Sequence, residues 1–336
     1  MPISRSKEII QEVCNKLKLE ADIEIDARSI KKRSVQGFNS EVYTAKADSD
    51  LIIHILNQNQ EQIKQSINKK LVSISNLLKT FPGIPSAEFF YEGKLEDGRF
   101  LFAQEKLLGD NLGRRKIENG KIIDEFYPME NKKYFEQLDR ILADLHGIKF
   151  SKYGWLAGEK GGLDGTYNSW EDFIFIESAL WIRNIFDNRN NGYVILKSTL
   201  SEVKKKIESL YSRKLHLFES KVPSFVHGDM INPGNILINN GKISGIIDFE
   251  WALAGDAAWE FAYSGNPAIN NYFDFCDKAG IVCDRTLFSE KMKFYKIIWL
   301  LWAVNVHAKG ATLKEILFKE LVKNIKSLNL WEARKQ

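Results

Sequence analysis

The spacing of apolar residues changes near residue 108, and this change limits the folds open to the chain. Before it, strand-like runs cover 31–35, 41–47, 51–56, 87–92 and 100–107. After it, helical spacing covers 131–145, 170–186, 197–218 and 287–328. Asp48-Ser49-Asp50 has turn chemistry between two of the strands, which favours an antiparallel meander. The pattern predicts a strand-rich first part and a mostly helical second part.

Two helices are expected within the first part. Apolar residues between Ile9 and Leu17 share one helical face near the N-terminus, and a longer stripe runs from Ile63 to Leu78. The stripe predicts one main helix over 61–78, ended by Pro82-Gly83. We therefore predict an α+β chain with an N-terminal lobe over 1–107 and a helical C-terminal lobe over 108–336, joined near 105–109.

Composition excludes several classes of protein. Of the 336 residues, 44% are apolar and 27% charged, which is typical of globular chains and not of disordered or fibrous ones. Lys and Arg total 48 and Asp and Glu 44, so the net charge of +4 does not favour a nucleic-acid partner. The longest apolar run, 297–304, is far shorter than the ~20 residues of a membrane span. Three cysteines without CxxC spacing indicate neither disulfides nor zinc. A cytoplasmic protein is expected, with its oligomeric state open.

A short segment near residue 240 carries a strong hairpin signal. Ile236–Asn239 and Lys242–Ile247 are apolar runs separated by Asn240-Gly241, the dipeptide that a type I′ turn prefers. Pairing Asn239 with Lys242 places Asn235 opposite Ile246. Asp248, two residues further on, is then expected on the same face and at the same end of the hairpin.

Oxygen-bearing side chains are expected to gather at this hairpin end. Asp229 lies only six residues before Asn235, so a tight loop would bring it close to Asn235 and Asp248. Carboxylate and amide oxygens suit Mg²⁺ rather than zinc or copper. A third acid that is not a ligand could accept the proton of an attacking hydroxyl, as in phosphoryl transfer.

The same residues resemble a known family. His227-Gly-Asp229, Asn235 and Ile-Ile-Asp248-Phe-Glu250 look like the catalytic segment of the aminoglycoside phosphotransferase and choline kinase group, small-molecule kinases of protein-kinase-like fold. Four further segments resemble features of the family. Residues 36–43 resemble the nucleotide-covering loop, and residues 102–109 resemble the hinge between the lobes. Residues 142–146 resemble the end of a structural helix, and residues 255–262 resemble the start of another helix. The resemblance implies a two-lobed kinase-like fold with an N-terminal antiparallel sheet.

The resemblance also implies roles for individual residues. Asp229 would be the catalytic base, and Asn235 and Asp248 would bind Mg²⁺. The residues that would contact the nucleotide are Gly37, Ser40, His54, Glu105 and Leu107. Acids just beyond the metal-binding segment would face the acceptor; these are Glu250, Asp256 and Glu260, although a helix N-terminus explains the last two nearly as well.

The chain departs from the family pattern in three places. The base and the metal-binding Asn are normally five residues apart, whereas Asp229 and Asn235 are six apart. Either the loop bulges at Pro233-Gly234 or Asn232 takes part of the role. The strand position that usually holds Lys or Arg holds His54, and no helix Glu is clearly placed to pair with it.

The predicted reaction moves the γ-phosphoryl group of ATP or GTP to a hydroxyl of a small molecule. Residues 167–174, after a Gly-rich stretch, resemble hygromycin-type phosphotransferases, so an aminoglycoside or aminocyclitol is the first acceptor to consider. His54 and the lengthened Asp229–Asn235 interval leave an alternative open. This alternative is a catalytically inactive, pseudokinase-like protein that binds nucleotide and has a regulatory role.

Overall fold

The computed structural model describes most of the chain. The described residues are 3–33, 40–56, 61–118, 121–127, 132–159, 162–187, 197–213, 215–220, 222–230, 232–262, 271–281, 285–306 and 311–333. Their helices are α1 Ile3–Ala21, α2 Glu61–Leu78, α3 Lys132–Gly147, α4 Trp170–Asp187, α5 Lys197–Arg213, α6 Tyr272–Lys278, α7 Arg285–Val306 and α8 Ala311–Ala333. None of these helices has a stretch long and apolar enough to cross a membrane.

The strands of the described residues are mostly short. The N-terminal ones are β1 Lys31–Lys32, β2 Ser40–Lys46, β3 Asp50–Leu56, β4 Phe89–Lys94, β5 Phe100–Glu105, β6 Asp110–Asn111, β7 Gly113–Glu118 and β8 Lys121–Phe126. The later ones are β9 Gly154–Trp155, β10 Ala157–Glu159, β11 Gly162–Asp164, β12 Ser224–Val226, β13 Ile236–Asn239, β14 Lys242–Ile246 and β15 Leu253–Gly255.

The chain divides into two compact units. The first comprises 1–111, 157–163 and 235–250, and the second comprises 112–156, 164–234 and 251–336. The hairpin of β13 and β14 thus groups with the N-terminal residues rather than with the helical lobe that the sequence pattern suggested. The reason is hydrogen bonding: β13 pairs with β6, and the Ile246 N–H donates to the Pro85 carbonyl at 2.7 Å.

A five-stranded antiparallel sheet is the centre of the first unit. Its strand order is β1-β2-β3-β5-β4. Alternate residues of β3, Leu51, Ile53 and Ile55, are buried in a core that also takes Val13 and Leu17 of α1. Helix α2 spans the residues that the apolar stripe predicted, and it packs against β4 and β5.

The second unit is mainly helical. Helices α4, α7 and α8 pack in sequence, α4 against α7 and α7 against α8, around buried aromatic residues. A small antiparallel sheet, in the order β12-β15-β9, lies beside α3. The predicted long helix over 287–328 is in fact two helices, α7 and α8, and the predicted helix over 197–218 ends at Arg213. The hairpin of β7 and β8 was not predicted.

Candidate active site

The loop after β12, which carries the proposed base, is anchored by a buried carboxylate. Glu260 is 5% exposed, and its carboxylate accepts three backbone N–H bonds. The donors are His227 at 2.7 Å, Gly228 at 3.2 Å and Met230 at 3.0 Å. Burial raises the pKa of Glu260 to about 7, although the three N–H bonds lower it. The backbone on both sides of Asp229 is therefore held in place by the Glu260 carboxylate.

Gly228 is required at its position in this loop. Its φ is +87°, and a Cβ there would lie 2.6 Å from the backbone carbonyl oxygen of Trp251. The buried His227 ring accepts the Asp229 backbone N–H at its Nδ1 atom, at 3.2 Å. The His-Gly-Asp sequence thus encodes a tight turn that presents the Asp229 side chain.

Both carboxylate oxygens of Asp229 have partners within the second unit. Oδ1 accepts from Arg115 Nη1 at 2.8 Å, and Oδ2 accepts from Asn232 Nδ2 at 3.0 Å. Asn232 in turn accepts the Gly234 backbone N–H at 3.1 Å. Asn232 therefore contacts the proposed base in the lengthened part of the loop, and its share in the metal-binding role stays a prediction.

Arg115 is itself held in place by Asp124. Its Nε and Nη2 atoms donate to the two oxygens of Asp124 at 2.7 and 3.2 Å, a bidentate pair across β7 and β8. Burial alone would lower the pKa of Arg115, but the carboxylates of Asp229 and Asp124 outweigh it and raise that pKa. The guanidinium stays charged at any working pH.

The proposed metal ligands lie in the first unit, at one end of the β13–β14 hairpin. Asn235 is 6% exposed and precedes β13 directly. Its carbonyl accepts the Ile247 N–H at 3.0 Å, which brings Asp248 next to it along the chain. Asp248 is exposed and has a φ of +70°, a left-handed conformation that only Gly, Asn and Asp adopt with ease.

The register of this hairpin differs from the prediction by one residue. Asn239 pairs with Lys242 as expected, but a bulge between Leu237 and Ile238 makes Ile246 the partner of Ile236. Asn235 is consequently opposite Ile247 rather than Ile246. The extra residue is Ser244, whose hydroxyl donates to the Leu108 carbonyl at 2.5 Å.

His54 does not present a positive charge to a phosphate. Its ring stacks on Phe102 with 4.3 Å between centroids, and its Nδ1 lies 3.4 Å from Ser40 Oγ. Burial lowers the pKa of His54 to about 4, so the ring is neutral near pH 7. Its Nε2 atom is buried and has no hydrogen-bond partner among the described residues.

The other proposed nucleotide contacts lie mostly in the first unit's sheet and hinge. Ser40 is buried at the start of β2, and Glu105 ends β5. Leu107 packs close to β14, where a Cβ at Gly245 would lie 2.6 Å from its Cδ1 atom. Gly37 lies outside the described residues.

A buried lysine, not singled out from the sequence, supports the segment that carries the proposed metal ligands. Lys70 of α2 is 5% exposed, and its ammonium donates to the Glu250 carbonyl at 2.8 Å. Burial lowers the pKa of Lys70 to about 7, against the opposing effect of the Glu250 carboxylate. Lys70 therefore tethers the chain two residues after Asp248.

Two of the three acids proposed to face the acceptor have internal partners instead. Asp256 is 9% exposed and accepts from Lys291 Nζ at 2.6 Å and from Tyr295 Oη at 3.0 Å. Glu260 is the anchor of the base loop described above. Because both carboxylates are engaged in the interior, we do not retain either as an acceptor contact. Glu250 is partly exposed.

Sequence reasoning missed Arg115, Asp124 and Lys70. A signal for the first two existed, because Asn119-Gly120 lies between two charged, alternating runs and is the same hairpin dipeptide as Asn240-Gly241. Lys70 carried no signal, since a lysine in a helix is ordinarily exposed.

The donor set at the hairpin end fits a hard cation. No cluster of three or more His, Cys, Asp or Glu side chains suited to a metal occurs among the described residues. The proposed set has an amide oxygen and one carboxylate, a pattern that leaves room for phosphate oxygens and water around Mg²⁺. The exposed Asp248 and its neighbour Asn235 are chemically suited to that role.

Comparison with solved structures shows the fold. APH(4)-Ia, an aminoglycoside phosphotransferase, matches with a TM-score of 0.62 and 13% identity over 94% of this chain and 98% of that one. The GDP and kanamycin complex of APH(2")-IIia matches with a TM-score of 0.60 and 16% identity, over 95% of this chain and 99% of that one. A putative fructosamine-3-kinase from Haemophilus somnus 129PT matches with a TM-score of 0.59 and 15% identity, over 94% of this chain and 97% of that one. The predicted protein-kinase-like fold is confirmed.

Comparison at the level of sequence gives the family. No curated protein matches the chain. The phosphotransferase enzyme family, APH, matches residues 97–287, more than half of the chain, including the base loop and the β13–β14 hairpin. On this match the chain belongs to the APH phosphotransferase enzyme family.

Proposed function

We propose that the protein transfers the γ-phosphoryl group of ATP or GTP to a hydroxyl group of a small molecule, with Asp229 as the catalytic base. One observation carries the proposal: Asp229 is held by Arg115 and Asn232 on a loop whose backbone is anchored by Glu260. A side chain that must act on a substrate is typically held in this way by its neighbours.

The proposed chemistry follows from these positions. The acceptor oxygen forms a bond to the γ-phosphorus while the bond from that phosphorus to the β-phosphate oxygen breaks, and the nucleoside diphosphate leaves. The hydroxyl proton passes to the Asp229 carboxylate, which Arg115 and Asn232 hold by hydrogen bonds. Mg²⁺ held by Asn235 and Asp248 would neutralise charge on the phosphates.

The nucleotide contacts form the second part of the proposal. We assign the adenine or guanine base to the backbone near Glu105 and Leu107, and the phosphates to the sequence segment that contains Gly37 and Ser40. A neutral, buried His54 would line the pocket rather than pair with a phosphate. The similar APH(4)-Ia, as a thermostable mutant, has been solved with AMP-PNP and hygromycin B, which supports a nucleotide donor here.

The acceptor is proposed to be an aminoglycoside or aminocyclitol first, and another hydroxyl-bearing small molecule second. Two of the similar structures are complexes with such molecules, hygromycin B and kanamycin. The identities of 13% and 16% are too low to carry the acceptor over directly. Glu250 remains as the one proposed acidic contact for an ammonium group.

A phosphotransfer assay tests the proposal. The purified chain, with ATP or GTP and Mg²⁺, should phosphorylate at least one member of a panel of aminoglycosides, amino sugars and choline-like cations. Asp229→Ala should lower kcat by about 10³-fold or more, because the base and its orientation are lost together. Nucleotide binding, measured by calorimetry, should survive.

The control is Asp274→Ala, which removes an exposed carboxylate from the first turn of α6 and should leave kcat unchanged. Nucleotide binding without transfer to any acceptor would contradict the proposal and favour the inactive nucleotide-binding regulator.

A further inference from the structure

The β7–β8 hairpin has one face turned to Asp229 and one face turned to solvent. Arg115 and Asp124 are cross-strand partners, as are the adjacent Arg114 and Glu125. The Arg115–Asp124 side chains are 22% and 17% exposed, whereas those of Arg114 and Glu125 are 59% and 36% exposed. Both pairs are ion pairs of 2.7 Å, but only Arg115 also reaches Asp229.

The geometry points to Arg115 as a positioning residue for the base: clamped by Asp124, it fixes the rotamer of Asp229 for the hydroxyl that will attack. The inference rests on the proposed phosphotransfer function and assigns a further residue to it. The segments on which the family resemblance was based, such as 102–109, 142–146 and 227–250, lie outside this hairpin.

The clamp explains why the guanidinium can position a neighbour. Asp124 takes the Nε and Nη2 edge of the planar group, which leaves the Nη1 end directed at Asp229 Oδ1. A planar group held at one edge cannot rotate freely, so the direction of its third bond is set. Asn232 holds the other oxygen of Asp229, at 3.0 Å, and the carboxylate plane is thereby fixed at two points.

An ion pair that fixes the direction of the Asp229 carboxylate suits the proposed reaction. Phosphoryl transfer passes through a loose transition state in most analyses, so orientation of the nucleophile matters more than the strength of the base. Correct orientation of reacting groups is worth large factors in rate, and a displacement of about 1 Å can cost about 100-fold. Loss of Arg115 should therefore appear in kcat.

The experiment compares two adjacent arginines in the same hairpin. Arg115→Gln should lower kcat about 10- to 100-fold, with KM for nucleotide and acceptor within about twofold of wild type. Arg114→Gln, which removes the exposed pair, should leave both constants unchanged. Arg115→Lys should recover part of the loss, since it keeps the charge without the bidentate clamp. Asp124→Asn should lower kcat less than Arg115→Gln, and Glu125→Gln not at all.

Chemical rescue separates positioning from a structural role. The cavity left in Arg115→Ala should accept free guanidinium, which at non-denaturing concentrations should restore part of kcat. The same addition should not raise the activity of Arg114→Ala or of the wild type. A variant that is merely less well folded would gain nothing from it, and thermal unfolding of each variant reports the fold directly.

Several outcomes would overturn the inference. If Arg115→Gln had the kcat of the wild type, the ion pair would have no catalytic consequence. If the variant had a higher kcat than the wild type, the ion pair would be inhibitory. Equal losses in Arg114→Gln and Arg115→Gln would make the hairpin structural. A loss confined to KM for the acceptor would make Arg115 a binding residue. Failure of the proposed function is distinct, because the wild type itself would then transfer no phosphoryl group.

Discussion

The two loops that carry the proposed site residues are held in different ways. The base loop, in the second unit, is held both at its backbone, where Glu260 accepts three N–H bonds, and at its functional side chain, where Arg115 pairs with Asp229. The metal loop, in the first unit, is fixed through its backbone. Lys70 binds the Glu250 carbonyl, Ile247 bonds to Asn235, and Asp248 adopts a left-handed conformation.

This difference suits the two proposed tasks. A base must be oriented before the acceptor arrives, and charged partners within the protein accomplish this. A magnesium ligand needs a carboxylate that the ion can reach, and Asp248 is exposed on a segment whose backbone is held at Asn235 and at Glu250. The comparison predicts that the two loops will respond differently to substitution.

The largest expected effect is at Asp248. Asp248→Ala and Asp248→Gly should each lower phosphotransfer by about 10³-fold or more, because the only proposed carboxylate ligand is lost. The two variants should differ in stability. Alanine at a φ of +70° is strained, so Asp248→Ala should unfold at a free energy about 1 kcal/mol lower than Asp248→Gly.

Denaturant unfolding measures that difference, and an activity titration with Mg²⁺ measures the loss. Equal stabilities would show that the backbone conformation at Asp248 stores no strain. Full activity in either variant would remove Asp248 from the proposed site.

The second effect is at Glu260 and should appear first in stability. Glu260→Ala leaves three buried N–H donors without an acceptor, so the free energy of unfolding should fall by about 3–5 kcal/mol. Glu208→Ala, which removes an exposed helix carboxylate, is the control and should change stability by less than about 0.5 kcal/mol. A stable, active Glu260→Ala protein would contradict the view that this carboxylate anchors the loop.

Glu260 also gives a pH dependence with a definite sign. Its pKa is about 7 in the folded chain against 4.5 ordinarily, so the folded state binds the proton more tightly than the unfolded state does. The stability of the wild type relative to Glu260→Gln should therefore fall as pH rises from about 4.5 to about 7, by up to about 3 kcal/mol. Unfolding curves at several pH values check this. A rise in the relative stability over the same pH interval would mean that the pKa of Glu260 is lowered, not raised, by folding.

The smallest effect is expected at Lys70. Lys70→Met keeps the packing but removes the bond to the Glu250 carbonyl, so the Mg²⁺ concentration for half-maximal activity should rise about 10-fold, the cost of a lost charged hydrogen bond. Stability should change little, since a buried ammonium is itself costly. Lys79→Met, at an exposed lysine just beyond α2, is the control. An unchanged Mg²⁺ dependence would show that the metal loop does not need this tether.

Local patterns were enough to predict much of the architecture. The apolar stripe gave helix α2 with its observed ends, and Asn240-Gly241 predicted the β13–β14 hairpin. The family resemblance, drawn from His227 to Glu250, predicted the kinase-like fold that the comparisons confirm. These signals succeed because they depend on residues close together in the chain, where spacing alone decides which side chains share a face.

Other features depended on partners distant in sequence. The bulge that moves Asn235 opposite Ile247 is accompanied by a bond from Ser244 to the Leu108 carbonyl, 136 residues away. Asp256 and Glu260 were predicted to contact the acceptor, but they bond to residues in the protein interior, Asp256 to Lys291 and Glu260 to the Met230 N–H.

By itself, then, the sequence determined the existence of the β13–β14 hairpin, the family and the candidate base and metal ligands, because each of these is encoded in short, contiguous patterns. Only the tertiary structure decided what surrounds them: that Arg115 reaches Asp229, that His54 is buried and neutral, and that Lys70 supports the metal loop. Burial and charge pairing arise when distant segments meet, and no local spacing records which segments those are.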